Sequence, residues 1–332
     1  MVYSELIGIG GYVPERTVTN DELESIVDTS DQWITARTGI KERRISTGEK
    51  TSQIALQAAK RAIEQAKIKP AEIDLIILAT ITPDFFTPST ASMLQSKLGI
   101  RDIPSFDVSA GCTGFIYGLQ IADTFIKSGQ SKCVLIVGAE VLSKVLDWND
   151  RNTCVLFGDG AGAAILKKSK KAGIVSTYTG SQGDLEEFLT LPAVSVKNPF
   201  IKEQLITNNH SYIFMNGKEI FKFATNIMYK SIEKVLVENG LMINEIDYIV
   251  PHQANYRIID NVAKKLKVSP EKFYKNMEHF GNTSAASIPL ALDEMIQKKM
   301  INAGSRIIMV GFGGGLTWGA ILLDWTMKGG RS

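Results

Sequence analysis

The sequence contains few cysteines, and their arrangement excludes two kinds of site. Among 332 residues there are three, Cys112, Cys133 and Cys154. Their number is odd and none belongs to a C-x-x-C pair, which argues against a disulfide framework and against a cysteine-ligated zinc site. The cysteine content is therefore typical of a protein from a reducing compartment, and it predicts no metal site.

The sequence also lacks long apolar runs and a strong charge of either sign. No window approaches the ~18 consecutive apolar residues of a membrane span. The early run LIGIGGYVP has no basic leader and is too short for a signal sequence. The formal net charge is only +2, so the total charge attracts neither nucleic acid nor a membrane surface. We therefore predict a cytoplasmic protein that binds neither.

The chain instead has short apolar strand patterns that alternate with helical patterns, which is typical of the α/β class. Part of this pattern occurs twice. The tripeptide EID precedes an apolar strand at residues 72–74 and again at 245–247, and the same shift aligns Cys112 with Ala285. We therefore predict two homologous halves that pack tightly. The predicted halves are residues 1–170 and 171–332.

Cys112 lies in DVSAGCTGF, where a strand pattern gives way to a helix. Apolar residues recur at helical spacing from Phe115 to Ile126, which places Cys112 near the first helical turn. Free N–H groups and the helix dipole favour a thiolate there and predict a lowered pKa. A buried packing role is the commoner one for a free cysteine, and we assign that role to Cys133 and Cys154. For Cys112 both interpretations stay open at this point.

Two polar residues of the second half occupy comparable positions. His252 follows the strand YIV and Pro251, and Asn282 precedes a helix in GNTSAAS. Ligands gather at the carboxyl ends of strands in α/β sheets. A lone histidine is nevertheless more often structural, and asparagine is a good helix N-cap. His210, in a polar run, is predicted to lie on a loop surface.

The segment GFGGGLTWG (311–319) places consecutive glycines after a strand pattern. It lacks the Lys and Ser/Thr of a phosphate-binding loop, so a nucleotide site of that kind is not indicated. Such glycines can instead direct a backbone N–H at a developing oxyanion.

Four segments together resemble one family. DVSAGCTGFIYGL, PHQAN, GNTSAAS and GFGGGLTWGA, in this order, are similar to the signature segments of the β-ketoacyl-ACP synthase III enzymes, which initiate type II fatty acid synthesis. The resemblance covers nearly the whole chain. It implies the thiolase fold, an α/β fold in which two similar halves stack as five α-β-α-β-α layers. It also implies a homodimer.

The resemblance implies a mechanism and residues for it. Cys112 would be the nucleophile that takes the acyl group from a short acyl-CoA, with the N–H groups of Cys112 and Gly314 as the oxyanion hole. His252 and Asn282 would stabilise the enolate formed as malonyl-ACP loses CO2. The product would be 3-oxoacyl-ACP, and neither a metal nor a redox cofactor would be needed.

The resemblance also assigns residues to the two carriers. Trp33, Arg37 and Arg151 would bind CoA, although each is otherwise read as a surface cation or a packing tryptophan. A charged helix face is usually only solvated, but the resemblance places acyl carrier protein on one here. The residues so assigned are Lys222, Gln253, Ala254, Asn255, Tyr256, Arg257, Lys264 and Lys265.

One position departs from some members of the family. Where they carry a phenylalanine that limits the acyl pocket, this chain has Thr87, with Phe85 and Phe86 just upstream. We therefore predict a pocket that accepts branched or longer starters. Two other functions stay open: a related Cys-His-Asn condensing enzyme that makes a polyketide or quinolone-type product, and a non-catalytic scaffold.

Overall fold

The computed structural model describes residues 2–194 and 211–327, so His210 lies outside the described residues. The strands in chain order are β1 (Tyr3–Tyr12), β2 (Thr17–Thr19), β3 (Glu42–Arg44), β4 (Leu75–Ala79), β5 (Ser105–Val108), β6 (Cys133–Glu140), β7 (Gly160–Ser169), β8 (Ile174–Ser181), β9 (Leu189–Thr190), β10 (Phe214–Met215), β11 (Tyr248–Pro251), β12 (Arg306–Gly313) and β13 (Thr317–Asp324). The helices are α1 (Asn20–Glu24), α2 (Asp31–Thr38), α3 (Thr51–Ala66), α4 (Thr90–Lys97), α5 (Gly114–Lys127), α6 (Gly217–Glu238), α7 (Tyr256–Leu266), α8 (Met277–Phe280) and α9 (Ser287–Gln297).

Two larger sheets share one pattern of strand directions. The first has the order β1-β7-β6-β4-β5, and the second has the order β11-β12-β13-β8. In the first, β4 runs parallel to β6 and β6 runs antiparallel to β7; in the second, β11 runs parallel to β12 and β12 antiparallel to β13. The repeated segments of the sequence thus form equivalent strands of the two sheets.

The sheets are buried on both faces, which produces five layers. Successive strand side chains point to opposite faces: Ile77 packs against α5 and α9, whereas Ile76 packs against α3 and α4. In the second sheet, Ile307 packs against α5 and α9, whereas Ile308 packs against α6 and α7. The layers are therefore α3/α4, first sheet, α5/α9, second sheet and α6/α7. The predicted α/β fold with five layers is confirmed.

The central helical layer joins the two halves. Helix α5 comes from the first half and α9 from the second, and both contribute to one apolar core. The predicted division after residue 170 falls between β7 and β8; it stays a prediction, because the halves share this layer. No helix in the described residues is long and apolar enough to cross a membrane.

A short 3₁₀ turn precedes each central helix, and the two turns meet. Residues 111–113 lead into α5 and residues 284–286 lead into α9, and these turns contact each other. A Cβ on Gly138 would lie 2.3 Å from the carbonyl oxygen of Ala285. The absence of a side chain at the end of β6 therefore lets the second turn approach the first sheet.

Candidate active site

Cys112 lies in the turn between β5 and α5, beneath the glycine loop that follows β12. Gly111 has a φ of +54°, a left-handed conformation that glycine adopts without strain. A Cβ on Gly111 would lie 2.8 Å from the backbone nitrogen of Gly314, and one on Gly313 would lie 2.5 Å from that of Cys112. Three glycines therefore bring the cysteine turn and the glycine loop into backbone contact.

The surroundings of Cys112 favour a protonated thiol. Its pKa is raised to about 12, chiefly by burial and also by the nearby Glu140 carboxylate, while the Ser284 side chain acts in the opposite direction. The sequence-based expectation of a lowered thiol pKa is therefore wrong, because desolvation outweighs the stabilisation available at the start of α5. Cys133 and Cys154 are buried in the core, as predicted.

His252 is buried directly after β11, and its ring is fixed on two sides. Its Nδ1 lies 2.8 Å from the Ser287 hydroxyl, and its ring packs edge-on against Phe312 with centroids 5.4 Å apart. Burial lowers its pKa to about 3, so the imidazole is neutral near pH 7. The Ser287 oxygen already accepts from Gln253 N–H at 3.4 Å, so we assign its hydroxyl as the donor to Nδ1 and place the imidazole proton on Nε2.

Asn282 is held by its backbone and by the oxygen of its side chain. Its N–H donates to Leu156 O at 2.8 Å and its carbonyl accepts from Gly158 N at 3.1 Å. Its Oδ1 accepts from the N–H of Ser284 at 2.9 Å, which leaves the amide nitrogen to donate elsewhere. Asn282 is not the N-cap of α9, since the residue before that helix is Ala286, but its side-chain oxygen caps the 3₁₀ turn 284–286 that leads into the helix.

The segment 282–287 links the three predicted catalytic residues. It contains Asn282 itself, its Ser284 lies in the turn that contacts the cysteine turn and lowers the pKa of the Cys112 thiol, and its Ser287 hydroxyl bonds to His252. The cysteine turn also contacts β12, where a Cβ on Gly311 would lie 3.5 Å from both His252 Cβ and Thr113 Cγ2. The structure therefore brings the cysteine, the histidine and the asparagine into one neighbourhood.

An inner cavity of about 550 Å³ opens beside Cys112. Its walls are mainly apolar, and they also include Ser284 and Gly314 of the predicted site. Thr87 is exposed and does not line this cavity, whereas Phe85 and Phe86 do. The large apolar side chains of its wall belong to Ile81, Phe85, Phe86, Leu142, Phe157, Leu189, Leu191 and Ile213.

An outer cavity lies next to the inner one and is lined by cations. Trp33 lies within it, with the Arg37 guanidinium 4.2 Å and the Arg151 guanidinium 5.3 Å from its ring centroid. The adjacent residues Leu156 and Phe157 line the outer and the inner cavity respectively, and Asn282 pairs with both of them without lining either cavity. Further polar residues at the outer opening are Asn152, Lys218, Lys222, Asn255 and Arg257.

The geometry of α2 explains the position of Trp33. The Ser30 hydroxyl accepts from Trp33 N–H at 3.1 Å and begins the helix, and Gly39, with a φ of +81°, ends it. The Tyr256 hydroxyl donates to Ala36 O at 3.3 Å, and Asn255 Nδ2 donates to Arg37 O at 3.0 Å. Capping residues of α2 and the first turn of α7 therefore hold Trp33 and Arg37 at the opening.

The residues predicted to contact acyl carrier protein differ in their exposure to solvent. Lys222, Arg257, Lys264 and Lys265 are exposed. Gln253 is only 1% exposed, and its amide bonds internally to Pro251 O, Tyr274 O and Asn276 N. The predicted contact of the Gln253 side chain is therefore corrected: it orders the chain after β11. Ala254, Asn255 and Tyr256 are half-buried.

Sequence reasoning missed three polar residues around the site. Glu140 ends β6 and is fully buried, while Ser284 and Ser287 belong to the motif GNTSAAS. The position of Glu140 at the end of a buried strand was a usable signal, because strand ends in α/β sheets carry functional side chains. The roles of the two serines depend on contacts between the halves, which a single sequence does not reveal.

Comparisons with known proteins agree with this geometry. Residues 106–183 match the family model described as 3-oxoacyl-[acyl-carrier-protein (ACP)] synthase III, and residues 236–325 match the model of its C-terminal part. The chain is 55% identical over 322 residues to a β-ketoacyl-[acyl-carrier-protein] synthase III of Clostridium acetobutylicum, covering 97% of this chain and 98% of that protein.

Solved structures of similar proteins have the same fold. One is the 3-oxoacyl-[acyl-carrier-protein] synthase III of Aquifex aeolicus, with a TM-score of 0.91, 48% identity, and coverage of 97% of this chain and 100% of that one. Another is the priming β-ketosynthase of the R1128 polyketide pathway, with a TM-score of 0.89, 34% identity, and coverage of 98% and 96%. On these grounds, the chain belongs to the β-ketoacyl-[acyl-carrier-protein] synthase III family.

Proposed function

We propose that the protein condenses a short acyl-CoA with malonyl-ACP and so initiates fatty acid synthesis. The products are 3-oxoacyl-ACP, CO2 and CoA. One observation carries this proposal within the family: the segment 282–287 contacts the turn of Cys112, bonds to His252 and supplies Asn282. One segment therefore positions the nucleophile and both hydrogen-bond donors, and it lies between an apolar inner cavity and a cationic outer cavity.

In the first half-reaction, Cys112 attacks the thioester carbonyl of acyl-CoA. A C–S bond forms to Cys112, the bond to the CoA sulfur breaks, and CoA leaves. We assign the oxyanion hole to the N–H groups of Cys112 and Gly314, since both residues line the inner cavity where their chains are in backbone contact. Backbone donors are already oriented there, so they stabilise the oxyanion without reorganisation.

In the second half-reaction, malonyl-ACP loses CO2 and the resulting enolate attacks the acyl-enzyme. Two neutral donors are available for the enolate oxygen. His252 has Nδ1 bonded to Ser287 and its proton on Nε2, and Asn282 has Oδ1 bonded to Ser284 and its amide nitrogen free to donate. A neutral imidazole suits this role, because it donates a hydrogen bond without first having to acquire a proton.

The outer cavity suits the nucleotide end of CoA. Trp33 offers a planar apolar surface, and the guanidinium groups of Arg37 and Arg151 lie near it. Such groups bind phosphates by charge-assisted hydrogen bonds. Asp28 accepts from Arg151 at 3.3 Å in an exposed pair, and an exposed ion pair of this kind is readily exchanged for a phosphate contact.

The exposed cations beyond this opening suit an acidic carrier protein. Arg257 lies in the first turn of α7 and Lys264 in its last turn, and Lys222 faces the outer opening from α6. Complementary charge increases association rates and favours the correct partner. We also propose a homodimer in which the exposed Phe85 and Phe86 are covered, a cytoplasmic location, and a reaction that uses no cofactor.

The proposal predicts that malonyl-ACP, rather than malonyl-CoA, is the extender. Purified protein incubated with acetyl-CoA and malonyl-ACP is expected to release CO2 and form 3-oxobutanoyl-ACP, detected by mass spectrometry of the carrier. Lys264→Glu is expected to raise the KM for malonyl-ACP roughly fivefold by reversing one exposed charge.

The matched control is Lys60→Glu, which reverses an exposed charge on α3 in the opposite outer layer. Its KM is expected to equal that of the unaltered protein. A free polyketide or quinolone-type product formed from malonyl-CoA would instead support the related condensing enzymes. No product and no acylation of Cys112 would support a scaffold.

A second prediction concerns the starter. If Thr87 reaches the acyl cavity of the partner in a dimer, its small side chain leaves room for branched or longer acyl groups. We expect kcat/KM for isobutyryl-CoA and hexanoyl-CoA to lie within about tenfold of that for acetyl-CoA. Thr87→Phe is expected to reduce the values for the larger starters by roughly 10–200-fold, the usual effect of misfit by about one methylene in an apolar pocket.

Thr87→Ser is the control, because it keeps a small polar residue. An acetyl-CoA preference in the unaltered protein as strict as that of Thr87→Phe would contradict the role of Thr87. An equal loss for acetyl-CoA and hexanoyl-CoA in Thr87→Phe would also contradict it, since it would indicate damage to the loop rather than a narrowed pocket.

A further inference from the structure

Glu140 is a buried acidic residue that the reaction described above does not use. It is 0% exposed at the end of β6, and neutral groups surround its carboxyl. Its Oε1 accepts from the N–H of Ile81 at 3.2 Å, and its Oε2 accepts from the Thr80 hydroxyl at 3.1 Å and from the Thr82 hydroxyl. Because Thr80 and Ile81 line the inner cavity, the carboxyl lies just behind the cavity wall.

Ser284 connects this carboxyl to the nucleophile. Its hydroxyl donates to Glu140 Oε1 at 3.3 Å. Ser284 and Cys112 line the same inner cavity from two turns that contact each other, and the Ser284 side chain lowers the pKa of the Cys112 thiol. Ser284 has a φ of +50°, which is uncommon for a residue with a side chain, and its N–H is bonded to Asn282 Oδ1 at 2.9 Å. The fixed Ser284 backbone therefore places the hydroxyl against the carboxyl and beside the cysteine turn.

Among the described residues, Glu140 forms no ion pair. The nearest cation is Lys144, whose ammonium donates to Thr82 O at 2.8 Å and Pro83 O at 3.0 Å. The Asp84 and Asp159 carboxylates, like that of Glu140, raise the pKa of Lys144. Cys112 is a further ionisable group near Glu140, whose carboxylate raises the pKa of the thiol. Burial raises the pKa of Glu140 to about 7, so the carboxyl can both take up and release a proton near neutral pH.

We infer that Glu140, acting through the Ser284 hydroxyl, accepts the Cys112 proton while the acyl-enzyme forms. This inference rests on the proposed function. As the sulfur attacks the acyl carbon, the thiol proton passes to the Ser284 oxygen and the Ser284 proton passes to Glu140. The CoA sulfur departs as a thiolate and takes a proton from water. When the enolate displaces Cys112, the same path returns the proton, so Glu140 ends each cycle ionised.

The two half-reactions separate this role from a general structural one. Acylation is measured by rapid quenching with radiolabelled acetyl-CoA, and decarboxylation by CO2 release from malonyl-ACP. Glu140→Gln and Ser284→Ala are each expected to slow acylation roughly 10²-fold, the usual contribution of one proton acceptor. Decarboxylation is expected to stay within about threefold, because His252 and Asn282 perform it. Asp159→Asn, which neutralises another buried carboxyl, serves as the matched control with unchanged acylation.

The pH profile gives a second measurement. Acylation by the unaltered protein is expected to rise with pH through about 7, because only the ionised carboxylate accepts a proton, and Glu140→Gln is expected to lose this rise. Unchanged acylation in Glu140→Gln, an equal loss in both half-reactions, or the same loss in Asp159→Asn would overturn the inference. If Glu140→Gln does not fold, Ser284→Ala decides alone. Absence of acylation in the unaltered protein would instead refute the proposed function.

Discussion

Cys112→Ala is expected to abolish acyl transfer while leaving the decarboxylating half of the site in place. Without the sulfur there is no group to hold the acyl chain, so condensation should fall by on the order of 10⁴-fold or more. The substitution removes only the thiol group from the wall of the inner cavity. The hydrogen bonds of Ser284 with Glu140 and Asn282 do not involve this group and are retained. The measurement is mass spectrometry of the protein after acetyl-CoA, together with condensation assays.

Iodoacetamide provides an independent measurement on the unaltered protein. At alkaline pH, where a larger fraction of the Cys112 thiol is ionised, we expect one carboxamidomethyl group per chain, located at Cys112 in the wall of the inner cavity and blocked by prior incubation with acetyl-CoA. Cys133→Ala is the matched control, since Cys133 is also buried, at 2% exposed against 8% for Cys112, but lies in a strand away from either cavity. Retention of acyl-enzyme in Cys112→Ala, or loss of it in Cys133→Ala, would show that the nucleophile has been wrongly assigned.

The α/β class and the duplication could be predicted from the sequence, because their signals were local or repeated, whereas the five-layer stacking was implied only by the family resemblance. Apolar runs such as residues 75–79 indicated buried strands, and the duplicated EID segments indicated that the halves use one pattern. The turn that presents Cys112 was also predictable, since the change from strand to helix pattern occurs at that residue. Each of these features is encoded by residues close together in the sequence or by a repeated segment, so a single sequence is enough to identify it.

Properties that depend on contacts between the halves could not be predicted. The start of a helix suggested a lowered thiol pKa for Cys112, but the glycine loop of β12 and the turn 284–286 bury the sulfur, and its pKa rises to about 12. The same is true of Gln253, which follows the histidine in an exposed-looking motif yet bonds internally. Glu140 acquires its partner Ser284 from the other half of the chain. In each case, burial between the two halves determined the pKa or the hydrogen-bond partners of the side chain.

His252→Ala and Asn282→Ala are each expected to slow the release of CO2 from malonyl-ACP by about 10²–10³-fold, the usual effect of removing one preorganised donor. Acylation of Cys112 by acetyl-CoA should remain within a few-fold, since neither side chain takes part in that step. The change would therefore appear in kcat for condensation, with the acyl-enzyme accumulating in each variant.

Asn282→Asp gives the sharpest form of this test. The aspartate keeps an oxygen to accept from Ser284 N–H, so the turn retains its support, but it cannot donate to the enolate and adds a repelling charge. We expect a loss at least as large as that in Asn282→Ala with a similar melting temperature. Activity in Asn282→Asp close to that of the unaltered protein would mean that Asn282 only supports the turn.

The pH dependence of decarboxylation tests the neutral state of His252. Because burial lowers its pKa to about 3 from an ordinary 6.5, the proton is taken up only as the pH falls toward 3, and the imidazole stays neutral from pH 8 to pH 5. Decarboxylation by the unaltered protein should therefore be nearly constant over that range, while acylation falls below pH 7 as Glu140 takes up its proton. A decarboxylation rate that halves near pH 6.5 would show that His252 titrates as an exposed imidazole. It would then donate from a charged ring, and the tautomer fixed by Ser287 would no longer explain its role.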